Sequence, residues 1–269
     1  MVATLPSEEL TSHPGGNWRY YASLIRVLAA RDIVARFRKS LLGLLWVILR
    51  PVMLMLVMSV VRSIVRIPSD GIPYPLFSFT AITVWLAFAG TLSGTTGTIS
   101  RNGGIIKKMR VPRILFPLSG IIVVLVEYAA SWLPMIALLI WFQWGVDWHL
   151  LLLPLLLLWM LILGLGIGLI VASFGIFRTD ITLALPFLVQ LWFFLSPVIY
   201  PVSRVPPEYF HIYALNPMVG LIEGVRSVVL RSEMPDWSLL LPSLVAVIVV
   251  WAIALPLYHR RSKYFADAL

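Results

Sequence analysis

The chain has 269 residues, of which 60% are hydrophobic and 12% charged. A soluble domain carries about 25% charged residues, and no soluble fold of this size has interior enough for so much apolar side chain, so the solvent is lipid. Cysteine is absent, which excludes a disulfide framework and a thiolate metal site. The net charge of +9 suits either nucleic acid or a membrane surface, and the placement of the cations decides between them.

Residues 1–17 are polar and carry Pro6, Pro14, Gly15 and Gly16. They lack the basic and apolar regions of a signal peptide and read as a disordered cytosolic tail. Residues 18–39 repeat Trp18, Tyr21, Leu24, Ile25 and Leu28 at helical spacing, with arginines elsewhere and Asp32 the only acid. That pattern is a basic amphipathic helix suited to lying on the inner leaflet. A simple anchor is its plainest role.

Six apolar stretches are each about long enough to span a bilayer, which takes about 20 residues. They lie near 43–65, 76–99, 114–142, 150–176, 182–200 and 238–258 within a transmembrane region of 40–260, followed by a cytosolic C-terminus at 261–269. The fifth is short and ends at Ser196-Pro197. With the N-terminus inside, the basic clusters around Arg31–Lys39, Arg101–Arg113 and Arg260–Lys263 all face the cytosol. Arg204, Arg226 and Arg231 fall outside, and Arg62 and Arg66 sit at the outer end of the first span. This bias orients the protein and places the cations beside the inner leaflet, so nucleic acid is not a partner. The fold class is therefore an all-α membrane protein.

Arg50 lies within the first span, about 17 Å from Arg62 at helical rise. Both can snorkel to opposite interfaces. The loop RNGGIIKKMRVPR at 101–113 is cytosolic and basic. A short helix between Gly103-Gly104 and Pro112 presents Ile105, Ile106 and Met109 on one side, beside Lys107, Lys108 and Arg110. It is either a loop lying on the membrane or a docking element for a cytosolic partner.

Glu127 is the one carboxylate deep in a span, about 21 Å beyond Arg113. Such groups face a cavity or a partner. Glu127 either makes a structural hydrogen bond, with Gln190 as one candidate, or lines a pathway. Gly-Leu-Gly-Ile-Gly at 164–168 has no preceding strand and no acidic partner, so it reads as close helix packing rather than a nucleotide loop. Gly90, Gly94 and Gly97 also read as helix packing, within the chain or between subunits. The aromatics Trp85, Phe88, Trp132, Trp192, Phe193 and Phe194 lie deep in spans. They pack against helices or lipid, or a minority lines a conduit, since sugar rings stack on aromatic faces.

Residues 201–236 are mixed and proline-rich. Asn216-Pro217 suits the start of a helix, and Glu223 and Arg226 stand three apart, close enough to pair. The following apolar run is too short to cross a bilayer, so 203–231 reads as an external re-entrant region. No P-loop, metalloprotease or nucleophile-elbow motif occurs, and the four histidines are scattered. A membrane-embedded transferase needs converging acid, base or metal groups, and a proton-coupled carrier needs more than one deep carboxylate. Neither is present.

Five segments together resemble the ABC-2 type permeases that export surface polysaccharides. They are LAARDIVARFRKSLLGLLWVILRPV at 28–52, IIKKMRVPRILFPLSG at 105–120, FGIFRTDI at 174–181, FFLSPVIYP at 193–201 and VPPEYFHIYALNPMVGLIEGVRSVVL at 205–230. They occur in order along nearly the whole chain. The resemblance implies the membrane subunit of an O-antigen, capsule or teichoic-acid exporter in the bacterial cytoplasmic (inner) membrane, with both ends cytosolic. It implies a homodimer with two separate ATP-binding subunits, which would bind ATP and magnesium; this chain would hold no cofactor and no metal and have no catalytic residue. Residues 18–39 would be the interface helix, and Ile105, Ile106, Lys107, Lys108, Met109 and Arg110 the ATPase-coupling segment. Trp85, Phe88, Glu127, Phe193 and Phe194 would line the conduit, and Asn216, Pro217, Glu223 and Arg226 would form the external gate. The cargo would be a glycan on an undecaprenyl-type lipid, with Arg36, Arg38 and Arg50 as candidates to meet its pyrophosphate. The alternative cargo is a drug or a small lipid.

Overall fold

The computed structural model describes residues 18–38, 40–108 and 111–268. The tail at 1–17, Lys39, Met109, Arg110 and the last residue of the C-terminal segment lie outside them. The described residues form helices and turns without a strand. In chain order the helices are α1 (Trp18–Phe37), α2 (Leu45–Val65), α3 (Tyr74–Arg101), α4 (Gly103–Lys108), α5 (Leu115–Trp141), α6 (Leu153–Gly175), α7 (Thr179–Phe194), α8 (Pro207–Ala214), α9 (Pro217–Arg226), α10 (Trp237–Ser262) and α11 (Phe265–Ala268). A 3₁₀ turn, Trp148–Leu152, leads into α6, and a π-helical turn, Ser227–Arg231, extends α9.

Among the described residues, five helices are long and apolar enough to cross a membrane: α2, α3, α5, α6 with its leading turn, and α10. Helix α7 falls short. The fifth apolar stretch was expected to run over 182–200, but its helix ends at Phe194. Sixteen residues reach only about 24 Å at helical rise, against a hydrocarbon core of about 30 Å. Pro197 lacks an N–H, and the carbonyls beyond the break go to side chains. Leu195 O accepts from Asn216 Nδ2 at 3.0 Å, Val198 O from Arg226 Nη2 at 3.1 Å and Ile199 O from the Tyr74 hydroxyl at 3.1 Å. Irregular backbone at membrane depth is tolerated where protein satisfies it.

Helix α3 is the axis of the fold, in contact with α2, α5, α6, α7 and α9. Its Thr80, Thr91 and Thr96 hydroxyls return to carbonyls four residues earlier, so a helix with polar residues in its core leaves those hydroxyls satisfied. The glycine run of α6 lets α3 approach: a Cβ on Gly168 would stand 2.6 Å from Thr95 Cβ, and one on Gly166 2.7 Å from Val250 of α10. Close packing, not nucleotide binding, explains that motif. Gly94 of α3 differs, since among the described residues a Cβ there would meet open space.

Helix α1 packs on α5. Of its apolar stripe, Leu28 is buried beside Ala29 and joins Ile99, Ile106, Phe116, Leu165, Leu169 and Phe265 in an apolar cluster, while Tyr21, Leu24 and Ile25 are half-buried. Trp18, Val27 and Val34 are the apolar side chains it leaves exposed.

Candidate functional site

The chemistry of this chain concentrates at two ends of the bundle. One end is organised by α9, which is buried from Met218 to Arg226 and continues buried through Leu230. Asn216 caps it as the sequence suggests: its Oδ1 accepts from Met218 N at 3.1 Å, and Pro217 takes the first helical position. The same Oδ1 accepts from Trp192 Nε1 at 2.9 Å, and Nδ2 donates to Ser196 Oγ at 3.1 Å. One amide thus joins the start of α9 to the broken end of α7.

Glu223 and Arg226 pair, with Nη1 donating to Oε1 at 2.6 Å. Arg226 is 0% exposed. Its Nη2 goes to Val198 O, its Nε to Phe77 O at 3.4 Å, and the guanidinium lies 3.6 Å from the centre of the Phe77 ring. A buried cation is tolerated only when it is paired and hydrogen-bonded, and here all three nitrogens have partners. The second Glu223 oxygen accepts from Arg231 Nη1 at 3.1 Å. Arg231 also stands 3.9 Å from Asp70, which accepts from the Ser203 hydroxyl at 3.1 Å. The ionic chain therefore ties the α2–α3 turn, the α7–α8 connection and α9 together. The side chain of Gly220 would collide with backbone: a Cβ there falls 2.0 Å from Leu239 O of α10.

The second region is built by α1, α4 and α5. Arg36 of α1 pairs with Glu127 of α5. Glu127 was given Gln190 as a candidate partner, but Gln190 is exposed on α7 and the arginine takes the carboxylate. A charge–charge pair outcompetes a neutral amide for an ionised acid. Arg38 and Arg50 are exposed. The α4 helix forms as expected, but Ile106 is 7% exposed and points into the α1 cluster. It anchors α4 instead of presenting an apolar face outward. Ile105 is half-buried and Lys107 exposed, while the side chain of Lys108, with Met109 and Arg110, lies outside the described residues.

The deep aromatics divide. Trp85, Phe88 and Phe193 are buried in one edge-to-face cluster with Trp192. The conduit assignment for these three finds no open face in the structure, because they fill the joint between α3 and α7. Phe194 is 51% exposed on the outer side of that joint.

A family model described as ABC-2 type transporter matches residues 23–230. This chain belongs to the ABC-2 type transporter family. It is similar to the O-antigen export system permease protein RfbA of Myxococcus xanthus, 31% identical over 255 residues that cover 93% of this chain and 96% of that protein. A protein of the same name from Klebsiella pneumoniae is 22% identical over 263 residues, 94% and 97% of the two chains. The polysialic acid transport protein KpsM of Escherichia coli is 26% identical over 242 residues, 89% and 93%. In this ABC-2 chain the matched segment runs from α1 into the π turn, so it takes in Arg31, Arg36, Asn102, Glu127, Glu223 and Arg226.

Several residues of these two ends escaped the sequence reading. Asp70 and Arg231 join the ionic chain of α9 across long separations, and Asn102 and Arg31 meet beside α4. Their only signal was charge or an amide beside an apolar segment, which names no partner.

Proposed function

We propose that this chain is the membrane-spanning permease subunit of an ATP-driven exporter that moves a surface polysaccharide across the bacterial cytoplasmic membrane. The observation that carries the reading is similarity over nearly the full length to permeases named for O-antigen export and polysialic acid transport. O-antigen is the cargo class those names favour. Two copies pair with two separate ATP-binding subunits, which supply ATP and magnesium. The termini are cytosolic, α7 is a short sixth crossing, and α8 and α9 form the external re-entrant region. Helices α1 and α4 face the ATPase. The glycan rides on an undecaprenyl-type lipid whose diphosphate meets the exposed Arg38 and Arg50, and Phe194 is the aromatic placed to touch sugar.

Deleting the gene tests this. Surface glycan disappears and the lipid-linked glycan accumulates inside, while tolerance to drugs stays level; full surface glycan with lost drug efflux would overturn the cargo and favour a small-molecule exporter. Reversing the charge at Lys107 and Lys108 together abolishes copurification with the ATPase, and unchanged copurification would remove α4 from the docking surface.

A further inference from the structure

Three helices meet at Asn102. It ends α3, with its backbone N–H and its Nδ2 both donating to Thr98 O, at 3.1 and 2.8 Å. Its own carbonyl accepts from the N–H groups of Ile105 and Ile106, at 2.9 and 3.0 Å, and so starts α4. Its Oδ1 accepts from Arg31 Nη2 of α1. Asn102 is 2% exposed, so the arginine reaches a buried corner. Asp32 steadies that guanidinium, with Nε and Nη2 donating to Oδ1 at 3.0 and 2.6 Å. Five residues further along α1, Arg36 takes Glu127 of α5. About one turn before Arg31, Leu28 of α1 shares its apolar cluster with Ile106 of α4.

Apolar contact by itself is non-directional and lets one helix slide on another. Charge-assisted hydrogen bonds set an angle and a register. Two of them at different heights fix the position of a rod. We propose that Arg31 and Arg36 are positioning residues that clamp α1 to the α3–α4 corner and to α5, so that α1 and α4 move as one block. A displacement imposed on either is then delivered to α5, and to the start of α2 through the connection that follows α1. The direction of transmission rests on the reading that α1 and α4 face the ATPase; the clamp itself does not.

The chain has no cysteine, so nitroxide labels attach only where cysteines are introduced. Val34→Cys on α1 and Ser100→Cys at the end of α3 are both exposed positions. The doubly labelled chain is diluted with unlabelled chain in nanodiscs and measured by electron paramagnetic resonance, by itself and with its ATPase. The clamp gives a narrow distance distribution that does not move between nucleotide-free and ATP-bound complexes, and Arg31→Ala broadens it. In proteoliposomes, glycan exported per ATP hydrolysed falls about tenfold in Arg31→Ala, the scale of an ordinary coupling energy. Arg36→Glu and Glu127→Arg each lower it, and the charge exchange combining them recovers most of the loss, as a coupled pair requires. A wild-type distance that changes with nucleotide, an Arg31→Ala distribution as narrow as wild type, or a charge exchange no better than its single variants would overturn the proposal. If the wild-type complex exports no glycan, the function above fails while the nanodisc measurement still decides the clamp. Arg31→Lys guards against misfolding: it keeps the charge but loses the planar fork, and broadening in that variant supports the clamp.

Discussion

The two ends of the molecule both hold arginine–glutamate pairs, and they hold them in opposite ways. At the α9 end Arg226 is 0% exposed and every guanidinium nitrogen has a partner. At the α1 end the Arg36 and Glu127 side chains are 49% and 25% exposed. A buried pair is stabilising only as a complete set, because removing one member strands the other. A half-exposed pair contributes little to stability, yet it still fixes geometry. Helix α9 is thus locked into the core by a buried set, whereas α1 is held in register by half-exposed pairs that add little to stability.

Breaking the buried set around Arg226 should have the largest effect. Arg226→Met leaves Glu223 with Arg231 alone and three backbone or carboxylate acceptors unpaired or weakened, at a cost of about 3 kcal/mol; a lower thermal unfolding midpoint in detergent would register it. A midpoint like that of wild type would mean the pair is not buried as described. Next comes Gly220→Ala, where the added carbon meets the Leu239 carbonyl. Overpacking against backbone costs about 1–3 kcal/mol, and the same melting experiment should show it, with poorer recovery of folded protein. Asn216→Ala removes a cap and the bonds to Trp192 and Ser196, worth about 1–2 kcal/mol. Increased protease cleavage in the 195–216 connection would report that loosening. Arg36→Ala should change stability by about 0–1 kcal/mol, so its melting midpoint stays near wild type even while coupling falls; a large drop in the midpoint would erase the contrast between the two ends. Smallest of all, Ile212→Ser on the exposed face of α8 should stay within about 0.5 kcal/mol.

Much of this was readable from local pattern. Apolar runs placed α2, α3, α5, α6 and α10 within a few residues, because a crossing helix must satisfy its own backbone and be apolar over a fixed length. The Asn216-Pro217 start of α9 and the Glu223–Arg226 pair were also legible, since capping and pairing three residues apart are local. The partner of Glu127 was not legible: Arg36 stands 91 residues away in sequence, and spacing carries no information about such a contact. The end of α7 was misplaced because the run 182–200 stays apolar past Pro197. The helix stops where Asn216, Arg226 and Tyr74 offer other partners for its carbonyls.

The sequence by itself determined that this chain is helical and that it lives in lipid. These follow from composition and run length, both of which are sums over neighbours in the chain. Only the tertiary structure decided which apolar faces meet protein. It turned Leu28, Trp85, Phe88 and the whole of α9 inward and left Phe194 and Val34 outside. The reason is physical: lipid tails are as apolar as a helix face, so hydropathy cannot tell a surface that meets lipid from one that meets another helix. Small residues, buried polar partners and the clash a missing Cβ avoids make that choice, and they act only once the helices are side by side.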